Sequence, residues 1–155
     1  MRTARSFSSC GYRFEAGFCP SMTPTFPRFG VSRKPRPVQS QINGCSFCLG
    51  LHTERARKAG VDQVKLDTLA GWQDAPQFDK RERAALGLAE AMTRLGDGRR
   101  VDDETWLAAR EAFDDDEIGA LLYLVGLINV WNRINVAVEL PSDHNLPKPA
   151  QSPGG

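Results

Sequence analysis

The chain has 155 residues, of which 41% are hydrophobic and 25% are charged, a composition typical of a globular protein with one domain. Its formal net charge of +1 argues against nucleic acid or an anionic membrane surface as the main partner. No run reaches the roughly 18 apolar residues expected of a membrane span. The closest run, residues 118–130, contains Asn129 and therefore indicates a buried helix.

The first forty residues differ from the rest of the chain. They contain seven Arg and Lys, one acid, five of the ten prolines, and no Leu or Ile. Without aliphatic side chains at regular spacing, and with Pro35 and Pro37 disfavouring helix, we expect residues 1–39 to form an irregular basic segment. The segment has no apolar signal region and only a weak likeness to a transit peptide. We therefore expect a cytoplasmic protein.

Start and stop signals divide the remainder into helices, with no stretch that alternates as a strand would, so the predicted class is all-α. The predicted helices span residues 45–59, 62–71, 79–95, 102–113 and 114–139. Gly60 supplies the stop of the first helix. Asp79 with Glu82 forms a capping box at the start of the third. The second has apolar residues at positions 64, 66 and 69 and ends before Ala75-Pro76.

The fourth helix is expected to bury Trp106, Leu107 and Ala109. The last helix is the longest; the acidic run Asp114–Glu117 is read as its cap rather than as a metal site. Its apolar residues cover nearly every face, which predicts a central helix or one shared with another subunit. Residues 40–141 then form the helical domain, and residues 142–155, rich in Pro, Ser, Asp and Gly, form a flexible tail.

The candidate chemistry lies in Cys45-x-x-Cys48-x-x-x-His52. On an α-helix these three residues fall within an arc of roughly 60°, and Cys48 and His52 are spaced so that their side chains meet. Gly44 gives the backbone freedom before the helix, which places both sulfurs in its first turn. Unpaired N–H groups and the helix dipole favour a thiolate there. Such a thiolate attacks a peroxide, the second thiol closes a disulfide, and His52 transfers the protons.

Other interpretations of the two cysteines stay open. They can be core residues beside a core histidine, without redox chemistry. A structural zinc site needs four ligands, and the further candidates are Cys10, Cys19 and His144, in segments expected to be irregular. Haem attachment needs a histidine directly after the second cysteine, where Leu49 stands. No glycine-rich nucleotide loop is present, so no cofactor is expected and electrons must come from a partner.

Residues 40–52 (SQINGCSFCLGLH), followed by Ala56 and Gly60, resemble the core motif of the alkylhydroperoxidase D-like family within the carboxymuconolactone decarboxylase superfamily. The resemblance continues through residues 72–76 (WQDAP) and 82–86 (ERAAL). It ends with residues 128–134 (INVWNRI), which are similar to the closing helix of the family. It therefore covers about residues 40–141.

The resemblance implies a compact all-helical fold that forms trimers or larger homo-oligomers. It also implies a peroxidase acting on a small hydroperoxide, with an external dithiol protein as reductant. Carried over residue by residue, Cys48 is the peroxidatic cysteine, Cys45 is the resolving cysteine and His52 belongs to the proton relay. A lactone decarboxylase of the same superfamily is the alternative enzyme, but that reaction needs no redox dithiol.

The family pattern is broken before the motif. A glutamate is expected twelve residues ahead of the first cysteine, in a helix, and that position holds Arg33. We therefore expect that residues 1–39 are a misassigned or frameshifted start, or else that the chain is a catalytically impaired helical oligomer. Four polar residues of the last helix, Asn129, Asn132, Arg133 and Asn135, are expected to make structural hydrogen bonds between helices or subunits, with a substrate-facing role as the alternative.

Overall fold

The computed structural model of the chain describes residues 35–97 and 100–142. Within these residues it contains six α-helices, two short 3₁₀ turns and no strand, which confirms the all-α prediction. The helices are α1 (Pro35–Ile42), α2 (Ser46–Lys58), α3 (Gln63–Asp67), α4 (Lys80–Thr93), α5 (Asp103–Ala112) and α6 (Asp115–Ala137). The 3₁₀ turns are Leu69–Gly71 and Arg94–Asp97. The rest of the predicted basic segment and nearly all of the predicted tail lie outside the described residues.

Helix α1 corrects the prediction that Pro35 and Pro37 prevent a helix ahead of the motif. Both prolines lie in its first turn, where backbone N–H groups have no helical partner and a proline removes no hydrogen bond. The helix is also a core element, because Val38 is 3% exposed and Gln39 and Ser40 are fully buried. It packs against α2, α4 and α6. The predicted irregular segment therefore extends at least five residues too far.

The other helix starts agree with the capping chemistry of the sequence. Asp79 and Glu82 form a reciprocal capping box at α4, and Asp114 and Glu117 form a second one at α6. Glu82 is also held by Lys65 of α3, whose Nζ lies 2.7 and 2.8 Å from its two carboxylate oxygens. This ion pair connects the short α3 to the first turn of the central helix α4.

The prediction that Trp106 and Leu107 of α5 are buried is wrong, because their side chains are 39% and 60% exposed. Ala109 is fully buried, as predicted, and small side chains at neighbouring positions of the same face, Ala108 and Ala112, are partly buried against the core. A helix that packs through alanines lies close to its neighbours α4 and α6. Its large side chains then fall on the opposite face.

Helix α6 has the length and hydropathy of a membrane span by composition alone. However, it packs against α1, α2, α4 and α5 and buries three asparagines, which fits the core helix of a soluble domain. Leu121 and Val125 join the hydrophobic core. The opposite face is exposed and also apolar. It contains Tyr123, Val130, Ile134 and Val136, which are 39–53% exposed.

The end of α6 folds back on itself. Glu139 adopts a positive φ of 53°, which side-chain-bearing residues rarely do. The N–H of Leu140 then donates to the carbonyl of Asn135 at 3.0 Å. The N–H groups of Val138 and Glu139 also donate to the carbonyls of Ile134 and Val136, so backbone hydrogen bonds on both sides of the positive-φ residue close the last turn.

Candidate thiol site

The turn between α1 and α2 positions the first cysteine. Gly44 has a φ of +65°, a left-handed conformation that favours glycine, and lets the chain reverse. The N–H of Cys45 donates to the carbonyl of Ser40 at 3.0 Å. Cys45 therefore precedes α2 as its N-cap, with φ −87° and ψ 94°, and its Sγ accepts the backbone N–H of Cys48 at 3.3 Å. The sulfur occupies the place of the usual capping oxygen.

The three predicted site residues share one buried region. Cys45, Cys48 and His52 are 3%, 2% and 5% exposed, and the two cysteines are free thiols. Burial, with a smaller effect of the Cys48 side chain, raises the pKa of the Cys45 thiol to about 12. The prediction that the helix start favours a thiolate is therefore wrong for Cys45, because loss of hydration outweighs the single backbone N–H that its sulfur accepts.

His52 lies one turn after Cys48 on the buried face of α2. Burial, together with smaller effects of the positive charges of Arg36 and Arg55, lowers its pKa to about 3. Its Nδ1 is buried and accepts no hydrogen bond from the residues described. The imidazole is therefore neutral at pH 7 and has one ring nitrogen without a partner.

The second cysteine has a partner on α6 that the sequence spacing did not indicate. The Nδ2 of Asn135 donates a hydrogen bond to the Sγ of Cys48 at 3.1 Å, although the two residues are 87 positions apart. Asn135 is 7% exposed. The sulfur therefore receives this amide N–H in a region from which water is largely excluded.

A network of buried amides fixes α6 against the α1–α2 turn. The Nδ2 of Asn43 donates to the Oδ1 atoms of Asn129 at 2.8 Å and Asn132 at 2.9 Å. Asn132 Nδ2 donates to the Ser40 hydroxyl at 3.2 Å, and Asn129 Nδ2 donates to Thr93 at the same distance. The structural interpretation of Asn129 and Asn132 is confirmed within one chain. The part of Asn43 and Ser40 in this network was not predicted from the sequence, although the Asn43-Gly44 pair is a recognisable turn signal.

Arg133 is exposed and folds back onto Asn129, with which it makes hydrogen bonds of 2.9 and 3.1 Å. Arg33, at the position of the expected glutamate, and Cys10, Cys19 and His144 lie outside the described residues. Among the residues that are described, no group of three or more His, Cys, Asp or Glu side chains is arranged to hold a metal ion. Helix α1, directly ahead of the motif, contains no acidic residue.

Comparison with known sequences gives one matching family and two curated relatives. The model of the carboxymuconolactone decarboxylase family matches residues 38–91. The chain is 37% identical over 99 residues to the uncharacterized protein YdfG of Bacillus subtilis, covering 64% of this chain and 67% of that protein. It is 34% identical over 105 residues to the uncharacterized protein YnjA of Escherichia coli, covering 66% of this chain and 56% of that one. The chain thus spans little more than half of the second relative.

Several solved structures resemble the fold. A protein of unknown function from Agrobacterium tumefaciens, suggested to be the antioxidant defence protein AhpD, has a TM-score of 0.68 and 30% identity. That match covers 72% of this chain and 76% of the other. An uncharacterized peroxidase-related protein from Silicibacter has a TM-score of 0.60 and 26% identity, over 72% and 58% of the two chains.

Proposed function

Since this chain belongs to the carboxymuconolactone decarboxylase family and has an AhpD-like fold, we propose that it is a thiol-dependent peroxidase. The observation that carries the proposal is the pair of free, buried cysteines at the start of α2, with His52 on the same face. The peroxidase-related description of one structural neighbour agrees with it. Cys48 is proposed as the peroxidatic residue, Cys45 as the resolving residue and His52 as part of the proton relay.

The proposed cycle consumes one hydroperoxide and one external dithiol. The Cys48 thiolate attacks the terminal peroxide oxygen, the O–O bond breaks, and an alcohol leaves after taking a proton, so that Cys48 becomes a sulfenic acid. The Cys45 thiol then attacks the Cys48 sulfur, an S–S bond forms, and water leaves with the thiol proton. A dithiol reductant protein returns two electrons and two protons to the disulfide.

His52 limits the rate of these proton transfers. A neutral imidazole accepts a proton, but a pKa of about 3 makes it a weak base at pH 7. The family relay has a glutamate where this chain has Arg33, so no carboxylate from that position supports the imidazolium. We therefore expect peroxide reduction that is slow for the family. Since Cys48 is only 2% exposed, a peroxide also needs a local movement of side chains to reach it.

The test uses the full chain with Cys10 and Cys19 replaced by Ser, so that the only thiols are those of the pair. One equivalent of an organic hydroperoxide is added, and the mass of the intact protein is followed in time. We expect a loss of 2 Da as Cys45 and Cys48 form a disulfide. In the Cys45→Ser variant we expect a sulfenic acid on Cys48, trapped by a 1,3-dione.

Cys48→Ser is the matched control, because the roles require its remaining Cys45 to react much more slowly than Cys48 does in Cys45→Ser. Two outcomes contradict the proposal. Thiols that stay reduced mean a structural pair or a chain that has lost activity. Oxidation of Cys48 no faster than that of an exposed reference thiol means that the site does not activate it.

A decarboxylase is the second candidate, favoured by the family model that matches residues 38–91. Loss of CO₂ from a carboxylated lactone requires no thiol oxidation. Decarboxylase activity that is retained in the Cys45→Ser and Cys48→Ser variants would therefore favour this candidate over the peroxidase. Decarboxylase activity that is abolished by both substitutions would argue against it.

The resemblance to the family implies a homo-oligomer. We also propose that copies of the chain associate through the exposed apolar face of α6. Gly119 and Gly126 lie on the same face, where an added Cβ would meet no atom within 4 Å. Glycine destabilises an exposed helix by about 1 kcal/mol relative to alanine. Close approach of a second helix, which the absence of a side chain permits, would explain glycine at these positions. Sedimentation of the wild type and of Val130→Glu tests this, with dissociation expected in the variant.

A further inference from the structure

We propose that Asn135 is a further catalytic residue of this site, whose amide N–H stabilises the Cys48 thiolate and makes Cys48, rather than Cys45, the nucleophile. Its use in peroxide reduction rests on the proposed function. The interaction itself, and the test below, do not depend on any peroxidase activity.

The contact joins a donor to the reacting atom. Asn135 Nδ2 lies 3.1 Å from Cys48 Sγ, and both side chains are more than 90% buried. A buried thiolate is not hydrated, so a directed N–H donor supplies stabilisation that water supplies at an exposed thiol. Of the two ends of the amide, the N–H end faces the sulfur, which favours the anion over the thiol.

The position of Asn135 is fixed by its surroundings. Asn43, in the turn before Cys45, binds Asn129 and Asn132 of α6, which sets the register of that helix against the α1–α2 turn. Asn135 follows Asn132 by three residues and therefore lies on the same face one turn later. The amide network thus directs Asn135 at the sulfur of Cys48, in the first turn of α2.

The arrangement treats the two sulfurs differently. Cys45 Sγ accepts only the backbone N–H of Cys48 from the residues described, and burial raises the pKa of its thiol to about 12. Cys48 has the side-chain donor from α6. The family resemblance assigns Cys48 as the peroxidatic cysteine, and the asymmetry of donors is a physical reason for the same assignment in this chain.

Ionisable groups lie on each element packed around Cys48. Helix α1 has Arg36 and the C-terminal half of α6 has Arg133. Cys45 is the N-cap of α2, His52 lies on the same side of that helix as Cys48, and Glu54, Arg55, Arg57 and Lys58 follow towards its exposed end. His52 is neutral and Cys45 is a thiol at pH 7. Unlike these ionisable groups, the amide of Asn135 does not titrate, so its N–H is a donor at every pH.

The test measures the ionisation of Cys48 directly. The full chain with Cys10, Cys19 and Cys45 replaced by Ser retains one thiol, and its alkylation by iodoacetamide is followed from pH 5 to pH 11. Hydrogen bonds to charged groups contribute enough to change an ionisation equilibrium by about tenfold. We expect alkylation at pH 7 to slow about tenfold in Asn135→Ala and more in Asn135→Asp, with rates converging with the parent at high pH.

Gln39→Ala is the matched control, because Gln39 is a fully buried amide whose Nε2 donates to the carbonyl of Val125 at 3.3 Å and not to a sulfur. We expect it to lower the stability of the fold while leaving the alkylation profile within about twofold. The conservative variant Asn135→Gln keeps an amide donor and is expected to recover part of the rate at pH 7. Circular dichroism identifies any variant that does not fold, and the remaining Asn135 variants then decide the outcome.

Unchanged alkylation profiles in the folded Asn135 variants would overturn the proposal, as would an equal effect of Gln39→Ala. A rate lowered equally at every pH would also overturn it, because access rather than ionisation would then have changed. An Asn135-dependent profile in a protein that does not react with hydroperoxide would leave this inference standing and refute the peroxidase.

Discussion

Mild acid is expected to destabilise this fold through His52. The imidazole is 5% exposed, and burial together with the charges of Arg36 and Arg55 lowers its pKa from 6.5 to about 3. In the unfolded chain the imidazole returns to its ordinary pKa. Between these two values the unfolded state binds a proton that the folded state does not. The contribution of the neutral, buried His52 to the free energy of unfolding is therefore fully present above pH 6.5 and is lost as the pH falls towards 3.

The size of the effect follows from the two protonation equilibria. Between pH 7 and pH 5 the linkage amounts to about 2 kcal/mol, and any folded-state pKa below about 4 gives nearly the same figure. A domain of this size has a free energy of unfolding of about 5–15 kcal/mol. The loss is therefore a large fraction of the total and is easily measured.

Urea denaturation at pH 7 and pH 5, followed by circular dichroism, measures this loss. His144 is replaced by Gln throughout, so that His52 is the only histidine. The His52→Leu variant keeps an apolar side chain in the core but cannot bind a proton, so we expect its stability to change about 2 kcal/mol less than that of the parent. If parent and variant lose the same stability on acidification, burial of a neutral His52 is not the cause.

Three further substitutions test the elements that hold the site. Asn132→Ala removes one of the two acceptors of the Asn43 amide and the donor to the Ser40 hydroxyl, and we expect a loss of about 2 kcal/mol in urea denaturation. Glu82→Ala removes the capping box of α4 and leaves Lys65, which is 22% exposed, without its carboxylate, so we expect a loss of about 2 kcal/mol. Gly44→Ala places a Cβ in open space but at a φ of +65°, and the backbone strain is expected to cost about 1 kcal/mol by the same measurement.

Gly71→Ala is the control for Gly44, because its added Cβ also meets nothing within 4 Å but its φ is not positive. We expect it to be neutral or slightly stabilising. An equal cost at both glycines would show that backbone conformation at Gly44 is not what matters. A neutral Asn132→Ala would show that water replaces the amide network. A neutral Glu82→Ala would show that α3 and α4 do not depend on this carboxylate.

The sequence predicted those parts of the fold that depend on residues close together in the chain. The capping boxes at Asp79 and Asp114 each involve a partner three residues away, so both starts are visible as local patterns. The stop at Gly60, which has a φ of +81°, is equally local. The helix from Gln63 to Asp67 is shorter than predicted, because the chain continues there as a 3₁₀ turn that buries Leu69.

Features that depend on tertiary contacts were not predictable in the same way. Two prolines forbid a helix in its interior but are harmless in its first turn, and the sequence alone did not place the start of α1. The ionisation of Cys45 is governed mainly by burial beneath other helices, with a smaller effect of its contacts with Cys48 in the local turn. Asn135 was recognised as a polar residue in need of a partner, but its partner is a sulfur 87 residues away.

The closure of α6 has a kinetic consequence. Helix ends open at a small fraction of the global free energy of unfolding, and here the last turn is held by backbone hydrogen bonds from Val138, Glu139 and Leu140, with Glu139 in a strained conformation. The same turn carries the donor to Cys48. We therefore expect local fraying of residues 135–140 to control the exposure of Cys48 to solutes. Their amide hydrogen exchange and the oxidation rate of Cys48 are expected to rise and fall together, even between variants with identical global stability.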